Sequence, residues 1–419
     1  VIRKETLDNG LTLISERMPH VHSVAIGVWL RQGSRDEPAR LNGISHFIEH
    51  LVFKGTENRS AREIALSMDS IGGQVDAFTA KEYTCFYAKV LDQHVEEAVD
   101  LLADIVQRPR FDPTEVERER QVVLEEIRMV EDSPEDLIFD LFSERFYPGN
   151  MLGRPIQGTE KTVSALGRDQ LLRFFRRAYR PENLLVAAAG NVRHARLAGW
   201  VRRAFGGLAR GGAPDGRKAA PRPSRASVKQ AKPLSQLHLL LGLPAFREGV
   251  RGRFALYVLN TILGGAMSSR LFQKIREERG LAYSVYSALS GYADSGFLVI
   301  YAATSPEGGR ELIRLALAEL RDLRDRGIRP AELAVAKEHL KGQLMLSLES
   351  TSSRMSNLAR QEFYLKRHQS LEETLVRVDR VTAGQVHRLA RELVGRRSLA
   401  FAAVGPVRRL RLGREDLRP

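Results

Sequence analysis

His46, Glu49 and His50 stand in the order His-x-x-Glu-His within Asn42-Gly43-Ile44-Ser45-His46-Phe47-Ile48-Glu49-His50-Leu51-Val52-Phe53. The spacing predicts a helix with Asn42 as its N-cap, on which the two imidazoles fall about 40° apart on one face, a ready pair of zinc ligands. Most of the remaining circumference is apolar, so the helix is expected to be buried and its polar triplet needs a reason. A plain structural alternative is a His pair satisfied by neighbouring backbone. The chain has one cysteine, Cys85, which leaves no intramolecular disulfide and no Cys-rich zinc module. Any metal is therefore held by His and carboxylate, and Cys85 itself reads as a packed free thiol with no activating partner.

A third ligand is sought on the helix predicted after Asp112. Measured from Val116, the apolar residues Met129, Val122, Val130, Val123 and Ile127 mark an arc running from about 220° to about 20°. Glu126 and Glu119 fall inside it, at about 280° and 300°, whereas Glu125 falls outside at about 180°. A carboxylate on a core-facing stripe is costly unless a cation meets it. Glu126 is thus the expected third ligand, and Glu119 a carboxylate that orients a ligand or the metal water, with a paired structural role as its alternative. Two His and one Glu leave an open position for water on a tetrahedral zinc, the catalytic pattern. Glu49, not needed as a ligand, is free to act as general base, and this inverted order of the motif is a metallopeptidase signature.

These helices must be positioned by a larger frame. The 419 residues suffice for two or three domains. Gly206 to Pro233 has a Gly, Pro, Ala and basic composition that reads as a linker and divides the chain into residues 1–208, a linker 209–233 and residues 234–419. The two halves resemble one another. The strand pattern Ser23 to Leu30 opens the first as Gln236 to Leu243 opens the second, and Asn183 to Gly190 near the end of one echoes Ser398 to Gly405 in the other. Phe111-Asp112-Pro113-Thr114-Glu115 and Ile328-Arg329-Pro330-Ala331-Glu332 each begin a long helix with Pro at its first position. The expected fold class is α+β: two homologous domains, each a mainly antiparallel sheet with helices packed on one face. The repeat sets Ala336 and Gln343 opposite Glu119 and Glu126, so only the first half is expected to hold metal.

The formal net charge is +14. The excess is poorly clustered and not interleaved with aromatics, so it reads as a solvated Arg-rich surface rather than a nucleic-acid interface. No apolar run approaches a membrane span, so no membrane insertion is expected, and the opening residues from Val1 lack the apolar core of a secretory signal. The expected compartment is the cytoplasm.

Together, GISHFIEHLVFKGT, ERERQVVLEEI, GGQVDAFTAKEYTCFYAKVL and LGGAMSSRLFQKIREERGLAYSVYS resemble the pitrilysin/insulinase family of zinc peptidases, in particular bacterial relatives of the mitochondrial processing peptidase β subunit. The resemblance implies a zinc endopeptidase for short or unfolded peptides, with one zinc per chain and a closed chamber formed by two such subunits. It assigns His46, His50 and Glu126 as zinc ligands, Glu49 as base and Glu119 as an accessory glutamate. Arg276 and Tyr283 match the family's substrate-contacting pair. Asp76, Ala77, Phe78 and Thr79 lie on the strand Gly73 to Thr79, which matches the edge where substrate adds as a strand. Asp76 stands where many relatives carry Asn. A homodimer with sites shared between chains follows from the same resemblance; a catalytically silent scaffold or a processing-partner subunit of the same fold is the alternative.

Overall fold

The computed structural model describes residues 2–211, 220–395, 399–410, 412 and 415–418. Residues 212–219 of the expected linker and Ser398 of the repeat lie outside the described residues. The chain forms two compact units, one of Val1–Met129, Arg154–Lys218 and Ser347–His368, the other of Val130–Gly153, Ala219–Leu346 and Gln369–Pro419.

The first unit is built on six strands: β1 (Ile2–Thr6), β2 (Thr12–Arg17), β3 (Ser23–Leu30), β4 (Gln74–Thr79), β5 (Thr84–Leu91) and β6 (Leu184–Gly190). Their order is β1-β2-β6-β3-β5-β4, and only β2 and β6 run parallel. The second unit has β7 (Ser227–Ala231), β8 (Leu237–Pro244), β9 (Ala282–Gly291), β10 (Gly296–Thr304) and β11 (Ala400–Gly405) in the order β7-β11-β8-β10-β9. Again one pair, β7 with β11, is parallel. Once β1 is set aside the two sheets have the same order, so the repeat legible in the sequence is a repeat of topology. Ser227–Ala231, whose composition reads as linker, forms the outermost strand of the second sheet. It needs only backbone pairing to β11 on one side, which asks little of its side chains.

Both units are α+β, with helices packed on one sheet face as expected and one further helix on the other. In the first unit the second face is made of Ile14, Ala25, Trp29, Cys85, Leu185, Ala187 and Ala189, and the helix Thr351–Tyr364 covers it with Met355, Leu358 and Ala359. The alanines of β6 leave room for a helix to approach closely, and the buried Trp29 indole donates to Met355 Sδ at 3.2 Å. In the second unit the helix Pro134–Phe146 plays this part, setting Leu137, Ile138, Phe142 and Phe146 on Leu240, Phe297, Val299 and Tyr301. Gly242 makes room for it, since a Cβ there would lie 2.2 Å from the Phe142 ring. Each covering helix is drawn from the opposite half of the sequence. Among the described residues no helix is long and apolar enough to cross a membrane.

Candidate metal centre and active site

The motif forms the helix Ile44–Leu51. Ile44, Phe47, Ile48 and Leu51 are at most 1 % exposed and anchor it in the first core, each worth about 1.5–3 kcal/mol of burial. This leaves His46, Glu49 and His50 on the accessible flank.

Asn42 does not cap the helix as its residue type suggests. Gly43 is the N-cap, at φ +96°, and a Cβ there would lie 2.6 Å from the Gln157 carbonyl oxygen. Asn42 is buried, and its amide donates to the Pro155 carbonyl at 3.0 Å and to Glu37 at 3.2 Å. The capping carboxylate is Glu37, which accepts from the Gly43 N–H and the Ser45 N–H, both at 2.8 Å. Burial pushes Glu37 up to about 7 against the lowering effect of these donors. A residue six positions before the N-cap matches no local capping pattern, so Glu37 had no signal in the sequence.

The long helix spans Pro113–Asp132. Its buried residues are Val116, Glu119, Val123, Leu124 and Ile127, while Val122 is 43 % and Met129 69 % exposed. The apolar arc is therefore centred near Val116 and Ile127 rather than on Glu126. Glu119 lies within it, and Glu126 sits half-buried at its rim. The arc differs from the expected one because Val122 and Met129, though apolar, lie on the surface, where apolar residues are common.

Glu126 nonetheless meets both imidazoles. Its Oε2 lies 3.5 Å from His46 Nε2 and 3.4 Å from His50 Nε2. Two donors on a tetrahedral zinc at about 2.0–2.1 Å are held about 3.4 Å apart, so the spacing fits a shared ion better than it fits direct hydrogen bonds. Among the described residues these three are the one group of His, Cys, Asp and Glu whose ligand atoms gather closely enough to hold a metal. Burial, and then the neighbouring His50, hold His46 down at about 4 against the pull of Glu126, which keeps the ring neutral and its lone pair free at neutral pH. Burial also acts to lower His50, but its bonds to Glu126 and Glu119 outweigh it and raise the ring. The bond to His50 is the largest influence on Glu126 and lowers it.

Glu119 Oε2 lies 3.2 Å from His50 Nδ1, and its other oxygen is paired with Lys54 at 2.7 Å. That arrangement fixes the ring so that Nε2 points toward Glu126 and His46. Glu49 projects beside the two histidines, and Thr79 Oγ1 donates to its Oε2 at 2.5 Å. Burial raises Glu49 to about 6, with the Thr79 bond and His50 opposing.

Thr79 ends β4, which among the described residues pairs with β5 alone and leaves its other edge free. Along this edge Asp76 Oδ1 accepts the Ala77 N–H at 2.8 Å, and Tyr87 donates to its other oxygen at 3.3 Å. Phe78 is 37 % exposed and packs edge-on against Trp29, with centroids 5.6 Å apart. Cys85, on β5, is fully buried and its thiol is raised well above the ordinary value by that burial, which makes it a poor nucleophile. Arg276 and Tyr283 belong to the second unit, where the guanidinium stacks on the Tyr283 ring at 4.6 Å and on Phe272 at 4.7 Å. Tyr283 is 78 % exposed.

Sheet, motif helix and His/His/Glu cluster are those of a metallopeptidase class, and comparison with known proteins agrees. Residues 12–160 match the insulinase family, peptidase family M16, and residues 165–340 match the peptidase M16 inactive domain. An uncharacterised zinc protease of Mycobacterium tuberculosis H37Rv is 47 % identical over 412 residues, covering 96 % of this chain and 93 % of its own. An uncharacterised zinc protease of Bacillus subtilis 168 is 44 % identical, covering 97 % and 98 %. A crystal structure of a Helicobacter pylori protease superposes with a TM-score of 0.91 over 96 % of this chain and 99 % of that one, at 22 % identity. A chain of the Candida albicans complex III dimer superposes at 0.87 over 99 % and 98 %, at 21 %. The chain belongs to the insulinase family of peptidases, M16.

Proposed function

We propose that this protein is a zinc-dependent endopeptidase that hydrolyses short or unfolded peptides, with His46, His50 and Glu126 as the metal ligands, one zinc per chain, and Glu49 as general base. The observation that carries the reading is the convergence of two imidazole Nε2 atoms and one carboxylate oxygen at 3.4–3.5 Å beside a separately held Glu49. Zinc bound there supplies Lewis acidity, polarising a peptide carbonyl and acidifying water.

The chain's own residues supply the rest. A carboxylate held at about 6 is ionised at neutral pH yet basic enough to take a proton at an Oε atom and return it to the departing amine. Thr79 keeps that carboxylate turned toward the histidines, and Glu119 fixes the His50 ring through Nδ1. A peptide added to the free edge of β4 through backbone bonds would run toward Glu49, because Thr79 ends that strand. Asp76 already holds the Ala77 N–H, so a peptide must displace that carboxylate to use this donor. The Arg276 and Tyr283 pair contacts substrate, contributed in a homodimer by the other chain.

Metal analysis of the purified protein, with cleavage of a peptide library in the presence and absence of chelator, tests the reading. One zinc per chain and chelator-sensitive cleavage are expected. A metal-free protein that cleaves nothing would identify a silent scaffold of the same fold.

A further inference from the structure

The turn that joins β4 to β5 follows Thr79 directly, and it is tied to the same chain segments that fix the motif helix. Within the turn the Ala80 N–H donates to the Tyr83 carbonyl at 2.8 Å. From outside it, the Ser34 N–H donates to the Ala80 carbonyl at 3.1 Å and the Arg35 N–H to the Lys81 carbonyl at 2.8 Å. A Cβ on Gly33 would lie 2.3 Å from the Ala80 carbonyl oxygen, so the two backbones meet with no side chain between them. Two residues beyond Arg35, Glu37 accepts the Gly43 and Ser45 N–H groups at the start of the motif helix. A second segment repeats the pattern: Lys81 Nζ donates to the Arg154 carbonyl, and the next carbonyl, Pro155, accepts from Asn42 beside the N-cap. Strand end and helix start thus share two supports, and the Thr79 to Glu49 bond closes the ring.

Inside this frame lies a buried ion pair. Arg35 is 6 % exposed, and its Nη1 donates to Glu82 Oε1 at 2.5 Å. Glu82 belongs to the turn itself, and its Oε2 accepts the Tyr364 hydroxyl at 2.9 Å. Tyr364 ends the helix Thr351–Tyr364, which covers the second face of the sheet. Burial first, and the Glu82 carboxylate after it, push the Tyr364 phenol far up, so it stays protonated and donates. A buried pair of this kind adds little stability over apolar packing of the same shape, but it holds one arrangement, because either charge left alone is costly. The same helix also pairs Arg354 with Glu16 at 2.5 Å, on β2 and away from the β4 edge.

We infer that Arg35, Glu82 and Tyr364 are positioning residues for hydrolysis: they hold the β4–β5 turn so that Thr79 stays on Glu49 and the free edge of β4 ends in register with the motif helix. The inference rests on the reading of Glu49 as general base. Reacting groups tolerate little misplacement, whereas a strand edge binds peptide backbone all along its length. Freeing the turn therefore costs turnover more than it costs binding.

The test compares Tyr364→Phe and Glu82→Gln with wild type in the full-length, zinc-loaded protein. Tyr364→Phe removes one donor, and Glu82→Gln leaves one acceptor oxygen for two donors. Hydrogen exchange in peptides covering residues 33–36 and 79–84 should quicken about tenfold or more. At pH 7 kcat should fall about 3–10-fold, with KM within about twofold and zinc content unchanged. Glu16→Gln, which breaks the other pair of the same helix, should lower the melting temperature and leave kcat and exchange in the turn as they are. Thr79→Ala should lower kcat at least as far as Tyr364→Phe, and Thr79→Ala/Tyr364→Phe no further than Thr79→Ala, because Tyr364 acts through Thr79. With Glu49→Gln inactive, additive losses in the double variant overturn this inference alone. So does quickened exchange with unchanged kcat, a rise in KM without loss of kcat, or a fall in melting temperature as the sole effect. Hydrolysis that survives in Glu49→Gln overturns the base reading, and this inference with it.

Discussion

Thr79 Oγ1 donates to Glu49 Oε2 at 2.5 Å, so the last residue of the free edge strand holds the carboxylate that projects beside the two histidines. Sheet edge and motif helix are thereby joined by one hydrogen bond, and the place where a peptide strand would end is also where a proton would be taken.

The Thr79 donor lowers a Glu49 carboxyl that burial otherwise raises, to a balance of about 6. Its loss in Thr79→Ala raises the group further. Since the base acts ionised, the acid limb of kcat/KM against pH should move upward, with activity lost mainly below neutrality and largely recovered at higher pH. Thr79→Ser, which keeps the hydroxyl, should restore the wild-type limb. An unchanged profile in Thr79→Ala would remove Glu49 from the role of base.

Ligand and base roles separate by metal content. His46→Ala and His50→Ala should each lose zinc, measured by atomic emission on the dialysed protein. Glu49→Gln should keep about one zinc and lose hydrolysis by on the order of 10²–10⁴-fold.

The carboxylates of the long helix should rank by position. Glu126→Gln should weaken zinc binding most. Glu119→Gln should weaken it by about 10–100-fold through the freed His50 ring. Glu125→Gln should leave it unchanged, because Glu125 is exposed and pairs with Arg128. Competition with a chromogenic chelator measures all three, and an effect at Glu125 equal to that at Glu126 would contradict the geometry.

Glu37 offers two oxygens to two helix N–H groups, and an amide has only one acceptor oxygen. Glu37→Gln should therefore cost about 1–3 kcal/mol of stability below about pH 4.5. The folded-state carboxyl is raised from an ordinary 4.5 to about 7, so between these values the native state binds more protons than the unfolded one. The stability this shift contributes is full below about 4.5 and is lost as pH rises through about 7. The stability difference between wild type and Glu37→Gln should accordingly be largest in acid and narrow across that window, as read by denaturant titration at several pH values.

The proposed sharing of sites between two chains predicts complementation. Glu49→Gln and Arg276→Ala/Tyr283→Phe proteins should each be inactive alone. When mixed under subunit exchange they should recover roughly a quarter of wild-type activity, since about half of the dimers are mixed and each has one intact site of two. Exchange without recovery would show that one chain or a different partner completes the site.

The sequence by itself determined the parts whose chemistry is local. His46 and His50 share a face because helical geometry puts residues four apart together, and the absence of further cysteines left His or carboxylate to join them. The duplication was also legible, because alternation of apolar residues marks the strands and β3 pairs with its neighbours as β8 does. The β4 edge was legible in family resemblance alone, since its alternating pattern does not say which side lacks a partner. Tertiary structure decided what depends on contacts distant along the chain. No periodicity indicates that Thr351–Tyr364 covers the first sheet or Pro134–Phe146 the second, because an amphipathic helix records that it has a buried face and not what buries it. For the same reason the pattern of Pro113–Asp132 does not fix its phase: Val122 and Met129 are apolar, yet the helix turns them away from the core. Asn42 has the residue type of a cap and Glu37 does not, but Gly43 and the Pro155–Gly158 backbone approach so closely that the cap comes from further back along the chain.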